Sequence, residues 1–464
     1  MSHSGAPDSN PTNERRWINV ADLGLFTDLY ELTMLQGYWA SGMTGSATFS
    51  LYFRKMPASR QFMLACGQQH AAHLATRLRF TKADLDQLAT LGQFRDDFLR
   101  WLEDFRFTGD VVAMPEGTPV FPQEPLLEVT APVAEAQLLE TLLMNLVHLE
   151  TVLASKAARI VLAAAGKPVA DFGMRRMHGM DAAVQGARAY RTAGIAGTSN
   201  VLAGLHFDLP VQGTMAHSFI QTFGDETAAF KTYMELYPGT TLLIDTYDTA
   251  GAVEKIIALK REMGERFNIG AIRLDSGDLN ALARTAREKL DAAGLDDVRI
   301  VASGGLDEYI IAKLTRAGAP IDAFGVGTSL GTSADAPNLD LAYKLTLYDG
   351  EPRLKNSPGK EVYPGQKQVF RHYGADGAVK RDEVTLRDEQ RDATPLLTPI
   401  VANGERLAAE TLDIKAAAAY AKREIERLPP RLLAIDSGDE PFDVEISPAV
   451  RELREQALAK LQKS

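Results

Sequence analysis

The chain has 464 residues, enough for two packed domains at roughly 100–200 residues each. Asp and Glu total 61 against 50 Lys and Arg, a net charge of −11, the wrong sign for a general nucleic-acid binder that works by neutralising phosphates. Its one cysteine, Cys66, excludes an internal disulfide framework and a cysteine-rich zinc ribbon, and no apolar run approaches the roughly 18–20 residues that span a bilayer. The expectation is an acidic, reduced, cytoplasmic protein with neither nucleic acid nor membrane as a partner. Residues 1–15 have no apolar core, so they form no secretory signal, and residues 1–18 read as a disordered start.

Taken in chain order, residues 21–41 predict a helix around Tyr30 and Tyr38, and the β-favouring run 46–53 predicts a strand. Residues 82–105 have helical periodicity. The Pro- and Gly-containing segment 109–130 reads as short strands joined by tight turns, and 134–165 is strongly helical. These form an N-terminal α/β domain over 19–150. From 151 to 335 the rhythm becomes regular. Apolar runs at Lys167–Phe172, Leu209–Gly213, Thr241–Thr246, Gly270–Leu274, Val298–Ala302 and Ile321–Val326 alternate with helical stretches such as 250–264, 278–293 and 306–317. Such alternation predicts a parallel sheet covered by helices, either a barrel or an open doubly wound sheet. The remainder, 336–464, holds predicted strands over 343–370 and helices over 404–428 and 446–462, and is expected to pack back on the N-terminal domain.

The chemistry lies where the apolar runs stop. Those ends deliver Arg175, His217, Asp245, Asp275 with Asp278, Ser303-Gly304-Gly305 and Gly325-Val326-Gly327-Thr328. The C-terminal ends of parallel strands are where α/β sites are built. Glycine turns there let backbone N–H groups approach a phosphate, Arg175 and Arg273 add fixed positive charge, and the aspartates offer oxygen to ribose hydroxyls or magnesium. His217 is the one histidine at such an end, fit to act as a base or a phosphoryl acceptor. Each element also has a plain structural reading: Asp275 and Asp278 as helix caps, Gly304-Gly305 as a tight turn, His217 as a hydrogen-bonded structural residue. Six successive ends decorated alike favour one site, suited to a phosphorylated sugar with a leaving group. Elsewhere, His70 and His73 read as a surface helix rather than a metal site, His148 and His206 as structural, and Cys66 as buried.

The segments DLYELTMLQGYW (28–39), DFGMRRMHG (171–179), AGIAGTSNVLAG (193–204), VQGTMAHSFI (211–220), LLIDTYDT (242–249), AIRLDSGDL (271–279), ASGGLDEY (302–309) and FGVGTSL (324–330) together resemble the nicotinate phosphoribosyltransferase family, over about 22–345. The resemblance implies a type II phosphoribosyltransferase fold: an irregular (β/α) barrel plus a second α/β sandwich domain from the N- and C-terminal parts. It implies that nicotinate and phosphoribosyl pyrophosphate give nicotinate mononucleotide and pyrophosphate in NAD salvage, with magnesium near Asp245 and Asp275. ATP is an implied co-substrate, coupled through phosphorylation of His217. The implied homodimer shares its active sites, with Tyr30 crossing to stack on the pyridine ring opposite Phe172.

By the same resemblance, Arg175 lies near the ring and ribose phosphate. Asp245, Arg273 and Asp275 form the floor, and Arg273 is also a candidate for reading the nicotinate carboxylate. Ser303, Gly304, Gly305, Gly325, Gly327 and Thr328 cradle the 5′-phosphate, while Arg54 is placed for pyrophosphate from the partner subunit. Ser199 stands where the related nicotinamide enzyme carries a carboxylate, and a neutral hydroxyl does not repel the substrate's own carboxylate. The rival readings are a nicotinamide or quinolinate phosphoribosyltransferase of the same fold, or a non-catalytic dimeric ligand sensor.

Overall fold

The computed structural model describes residues 22–357, 361–407, 413–436, 438 and 440–462. The expected disordered start, 1–18, lies outside them. Two sheet systems organise the chain. The first is a curled, six-stranded parallel sheet, a half-barrel, in the order Gly197–Thr198, Val169–Asp171, Ala323–Val326, Arg299–Ala302, Ile269–Leu274 and Thr240–Leu243. Helices Thr249–Met263, Leu279–Ala292 and Glu308–Arg316 return the chain between strands, as the alternating pattern predicts. Ile244, Ile256, Ile272, Leu290, Ile300, Ile311 and Val326 are buried in one core between sheet and helices.

One strand differs from the sequence-based expectation. The run Leu209–Gly213 makes only an isolated bridge, Thr198 to Val211, and the strand at the sheet edge is Gly197–Thr198. Pro210 has no N–H to give a ladder and contributes only its carbonyl, which accepts from the Thr198 N–H at 2.9 Å. The 209–213 segment is therefore held beside the sheet as a loop, which leaves its backbone at the rim of the site.

The second system is a seven-stranded sheet in the order Leu341–Tyr348 and its hairpin partner Glu351–Pro352 at one side, then Ser46–Phe53, Leu127–Pro132, Asp110–Ala113, Thr398–Ala402 and Glu405–Arg406. The Ser46–Phe53 strand pairs antiparallel with Leu341–Tyr348, so chain segments 288 or more residues apart are hydrogen-bonded neighbours. A four-stranded sheet (Thr394–Pro395, Lys367–Tyr373, Val379–Leu386, Val444–Ile446) shares its core, since Val369, Val384 and Ile446 join Phe49, Leu51 and Leu127 in one buried cluster. The predicted helix over 82–105 is two helices, Lys82–Thr90 and Asp96–Glu103, separated at Gly92, whose φ of +66° no helix accommodates. The 24-residue helix Glu140–Ala163 joins the two systems, burying Leu142 and Leu146 in one core and Ala154, Ala157 and Ile160 in the other. No helix among the described residues is long and apolar enough to cross a membrane.

His70 departs from its surface reading. Its helix, Gln68–Ala75, buries Gln68, Gln69, Ala71 and Ala72, and His70 Nδ1 lies 2.8 Å from Glu150 Oε1. Glu150 belongs to a buried cluster in which the Arg188 guanidinium donates to Glu150 and, at 2.5 Å, to Glu116, beside the buried Cys66. The arginine already balances both carboxylates, so the cluster reads as a clamp between helices rather than as a cation site.

Glu31, fully buried beside Tyr30 on helix Leu29–Ala40, accepts from Gln137 Nε2 at 2.8 Å. Burial pushes its carboxyl up to about 7, and Glu140 and Asp28 push the same way against the bonds from Gln137 and Tyr30. The folded state thus holds a proton more tightly than the unfolded chain. The associated stability is full below the ordinary carboxyl value, near 4.5, and is lost as pH rises through about 7. Glu31→Gln is therefore expected to match wild type in urea denaturation near pH 5 and to exceed it by about 2 kcal/mol at pH 8.5. Equal stabilities at both pH values would contradict this.

Candidate active site

A cleft of about 680 Å³ opens at the C-terminal ends of the parallel strands. It is lined by Phe172, Arg175, Ser199, His217, Arg273, Asp275, Ser303, Gly304, Gly305, Gly325, Gly327 and Thr328, together with Arg176 and the 211–216 segment. Twelve of the sixteen residues singled out in the sequence thus share one concavity. They come from five neighbouring strand ends and from the loop that replaces the expected second strand.

The floor is a hydrogen-bonded chain of charges. Arg273 projects from strand Ile269–Leu274 and donates from Nη1 to Asp275 Oδ1 (2.8 Å) and Ser303 Oγ (3.0 Å), and from Nη2 to the Met215 carbonyl (2.9 Å). The Ser303 hydroxyl donates to Asp275 Oδ1 at 2.5 Å. Burial lowers the Arg273 pKa from its ordinary value while Asp275 and Asp245 oppose that shift, so the guanidinium remains a fixed cation. Asp245 is not a wall of the cleft but sits behind it: its Oδ2 accepts from the Asp275 N–H (3.0 Å) and the Ser276 hydroxyl (2.6 Å). Asp245 Oδ1 and Arg273 Nε are buried with no hydrogen-bond partner among the described residues.

Two glycine turns shape another part of the cleft. Gly304 has φ +82°, and a Cβ there would stand 1.6 Å from the Asp275 carbonyl oxygen, so only glycine lets this turn lie against the Asp275 backbone. At Gly325 a Cβ would meet the Phe172 ring at 2.3 Å, so this glycine makes the space in which the aromatic wall lies. His217 opens the short helix His217–Phe223, with Nδ1 3.0 Å from Thr246 Oγ1. Thr246, Arg176 and Asp171 were not singled out in the sequence, although each adjoins a residue that was (Asp245, Arg175 and Phe172); Asp171 also ends a buried strand.

Three singled-out residues lie away from this cleft. Asp278 caps helix Leu279–Ala292, its Oδ1 accepting from the Asn280 and Ala281 N–H groups at 3.1 Å, which is its plain structural reading. Arg54, just past strand Ser46–Phe53, donates at 2.8 Å to Asp340, just before the neighbouring strand Leu341–Tyr348. Tyr30 is 47% exposed on helix Leu29–Ala40, beside the equally exposed Leu29. Ser199 also borders a second, apolar hollow formed by Met174, Met177, Met180, Val184 and Leu202.

Comparison with known proteins agrees in sequence and in fold. The family model for the nicotinate phosphoribosyltransferase N-terminal domain matches residues 25–148, and that for the nicotinate phosphoribosyltransferase family matches 168–390. The nicotinate phosphoribosyltransferase pncB2 of Mycobacterium tuberculosis is 50% identical over 423 residues, 91% of each chain. The nicotinate phosphoribosyltransferase of Bacillus subtilis is 40% identical over 377 residues, 79% of this chain and 77% of that one. The crystal structure of human nicotinic acid phosphoribosyltransferase superposes with a TM-score of 0.83 at 27% identity, covering 93% of this chain and 99% of that one. With a curled parallel half-barrel and a second α/β layer system in common, the chain belongs to the nicotinate phosphoribosyltransferase family.

Proposed function

We propose that the protein transfers the phosphoribosyl group of phosphoribosyl pyrophosphate to nicotinate, forming nicotinate mononucleotide and pyrophosphate in NAD salvage, and couples the reaction to ATP through His217. The observation that carries this reading is one cleft that holds an aromatic wall, a guanidinium paired with Asp275 in front of Asp245, and two glycine turns. The pyridine nitrogen of nicotinate, already a nucleophile, attacks ribose C1′. The C1′–O bond to pyrophosphate breaks and pyrophosphate leaves with the electron pair, so no general base is needed. Arg273 and Arg175 supply positive charge where the departing oxygens gain it, and the turns at Ser303–Gly305 and Gly325–Thr328 hold the 5′-phosphate. The unpartnered Asp245 Oδ1 and the adjacent Asp275 form a hard oxygen set that fits magnesium. An ion held there would add charge for the pyrophosphate oxygens. Phe172 packs one face of the pyridine ring, and Ser199 offers a neutral hydroxyl near its carboxylate.

In this reading the chain works as a cytoplasmic homodimer. The exposure of Tyr30 and Leu29 supports a role for that helix in closing the partner's cleft. His217 attacks the γ-phosphorus of ATP, ADP leaves with the bridging oxygen, and water later cleaves the phosphohistidine to release phosphate. The position of His217 at the cleft wall supports it. Incubation with γ-labelled ATP is expected to leave acid-labile, alkali-stable label on wild type and none on His217→Ala; label retained by the variant would refute the phosphohistidine.

A further inference from the structure

The Asp171 carboxylate has no part in the chemistry above, yet it is 2% exposed and fully engaged. Its Oδ1 accepts from the Gly173 N–H at 2.7 Å and its Oδ2 from the Thr198 hydroxyl at 2.7 Å. The Thr198 hydroxyl oxygen accepts in turn from the Asn200 N–H at 3.1 Å, and the Asp171 carbonyl accepts from the Ser199 N–H at 2.9 Å. One residue therefore grips both strand ends that lead into the cleft: the one that continues to Phe172 and Arg175, and the one that continues to Ser199.

The second of those strands needs the grip. Gly197–Thr198 has two residues, at the sheet edge, paired only as Ala170 with Gly197 and Asp171 with Thr198 on its ordered side. So short a ladder fixes the end of a strand poorly. A carboxylate, which accepts along two separate directions, ties it to the Phe172–Gly173 turn. That turn is itself tightly set, because a Cβ at Gly173 would stand 3.1 Å from both Asp171 Oδ1 and the Gly327 carbonyl.

We infer that Asp171 is a positioning residue for the pyridine pocket: it fixes the separation of Phe172 and Ser199, and so sets affinity for the aromatic carboxylate more than affinity for the phosphoribosyl donor. The inference rests on Phe172 and Ser199 being the ring contacts of the proposed function. Steady-state kinetics of the full chain, varying nicotinate and phosphoribosyl pyrophosphate separately, test it. Asp171→Ala is expected to raise the nicotinate KM at least about ten-fold, with kcat and the KM for phosphoribosyl pyrophosphate within about three-fold of wild type. Asp171→Asn keeps an acceptor for Gly173 and gives Thr198 a donor, so it is expected to hold the nicotinate KM within about three-fold. Thr198→Val removes one bond and reads the same shift, at about three- to five-fold, should Asp171→Ala fail to fold. Equal losses in both KM values and kcat, or Asp171→Asn as impaired as Asp171→Ala, would overturn the inference. Phe172→Ala separates it from the reading beneath: an unchanged nicotinate KM there overturns the ring contact itself. A raised one, with Asp171→Ala and Thr198→Val unchanged, overturns the positioning role alone.

Discussion

Arg273→Ala is expected to lower kcat/KM for phosphoribosyl transfer by about 10³-fold while the protein stays folded. Three groups lean on this guanidinium: the Asp275 carboxylate, the Ser303 hydroxyl and the Met215 carbonyl. Its removal takes away the cation at the floor and leaves Asp275 beside Asp245, about 4 kcal/mol of lost transition-state stabilisation at that fold-change. Lysine does not restore the function, because a single ammonium on a flexible stem does not reproduce a planar fork that donates in three directions. Arg273→Lys is therefore expected to recover less than about ten-fold of the loss. Asp278→Ala is the counterpart. Its carboxylate caps a helix outside the cleft, so the expected result is about 1 kcal/mol less stability with kcat/KM close to wild type. Comparable activity in Arg273→Ala and Asp278→Ala would contradict the placement of the floor.

The second large effect falls on a pair of adjacent glycines that differ in what surrounds them. Both have positive φ, +82° at Gly304 and +64° at Gly305. A Cβ at Gly304 meets the Asp275 carbonyl oxygen at 1.6 Å, whereas one at Gly305 meets nothing within 4 Å. Gly305→Ala therefore carries only the left-handed penalty of about 1–2 kcal/mol. Gly304→Ala must in addition drive the turn away from the strand that holds Asp275. Turn and aspartate belong to the same site, so the expected loss in kcat/KM is at least about 10³-fold for Gly304→Ala and under about ten-fold for Gly305→Ala. Parallel kinetics and urea denaturation of the two variants measure this. Equal losses would mean that the turn does not work through contact with Asp275.

Much of the site was legible because parallel strands advertise their ends. The buried strands at 169–171, 240–243, 269–274, 299–302 and 323–326 are apolar, and each stops at glycine or at a polar residue that faces the cleft or stands behind it. The motifs of the family resemblance run through the same ends. What was not legible has physical causes. A two-residue strand, Gly197–Thr198, carries no periodicity, so the longer apolar run Leu209–Gly213 drew the assignment although Pro210 denies it a ladder. Asp278 looked like its neighbour Asp275, and only the fold shows that one carboxylate caps a helix while the other faces Arg273. Asp171 and the Arg188 clamp depend on partners 27 to 72 residues away, a pairing that local pattern does not encode.

The charge balance also finds its place. A chain of net charge −11 nonetheless gathers Arg175, Arg176, Arg273 and two glycine turns in one cleft, which in the proposed reading is where it meets its anionic substrates. In the proposed reading substrate choice rests on Ser199, a cleft residue that would put no carboxylate opposite that of nicotinate.

The most direct test of this account is separation of the products formed by the wild-type chain from phosphoribosyl pyrophosphate, magnesium and ATP with nicotinate, nicotinamide or quinolinate as acceptor. Nicotinate is expected to give nicotinate mononucleotide and pyrophosphate in equal amounts, with little product from the other two. No nucleotide from nicotinate, or nicotinamide or quinolinate consumed as fast, would contradict it.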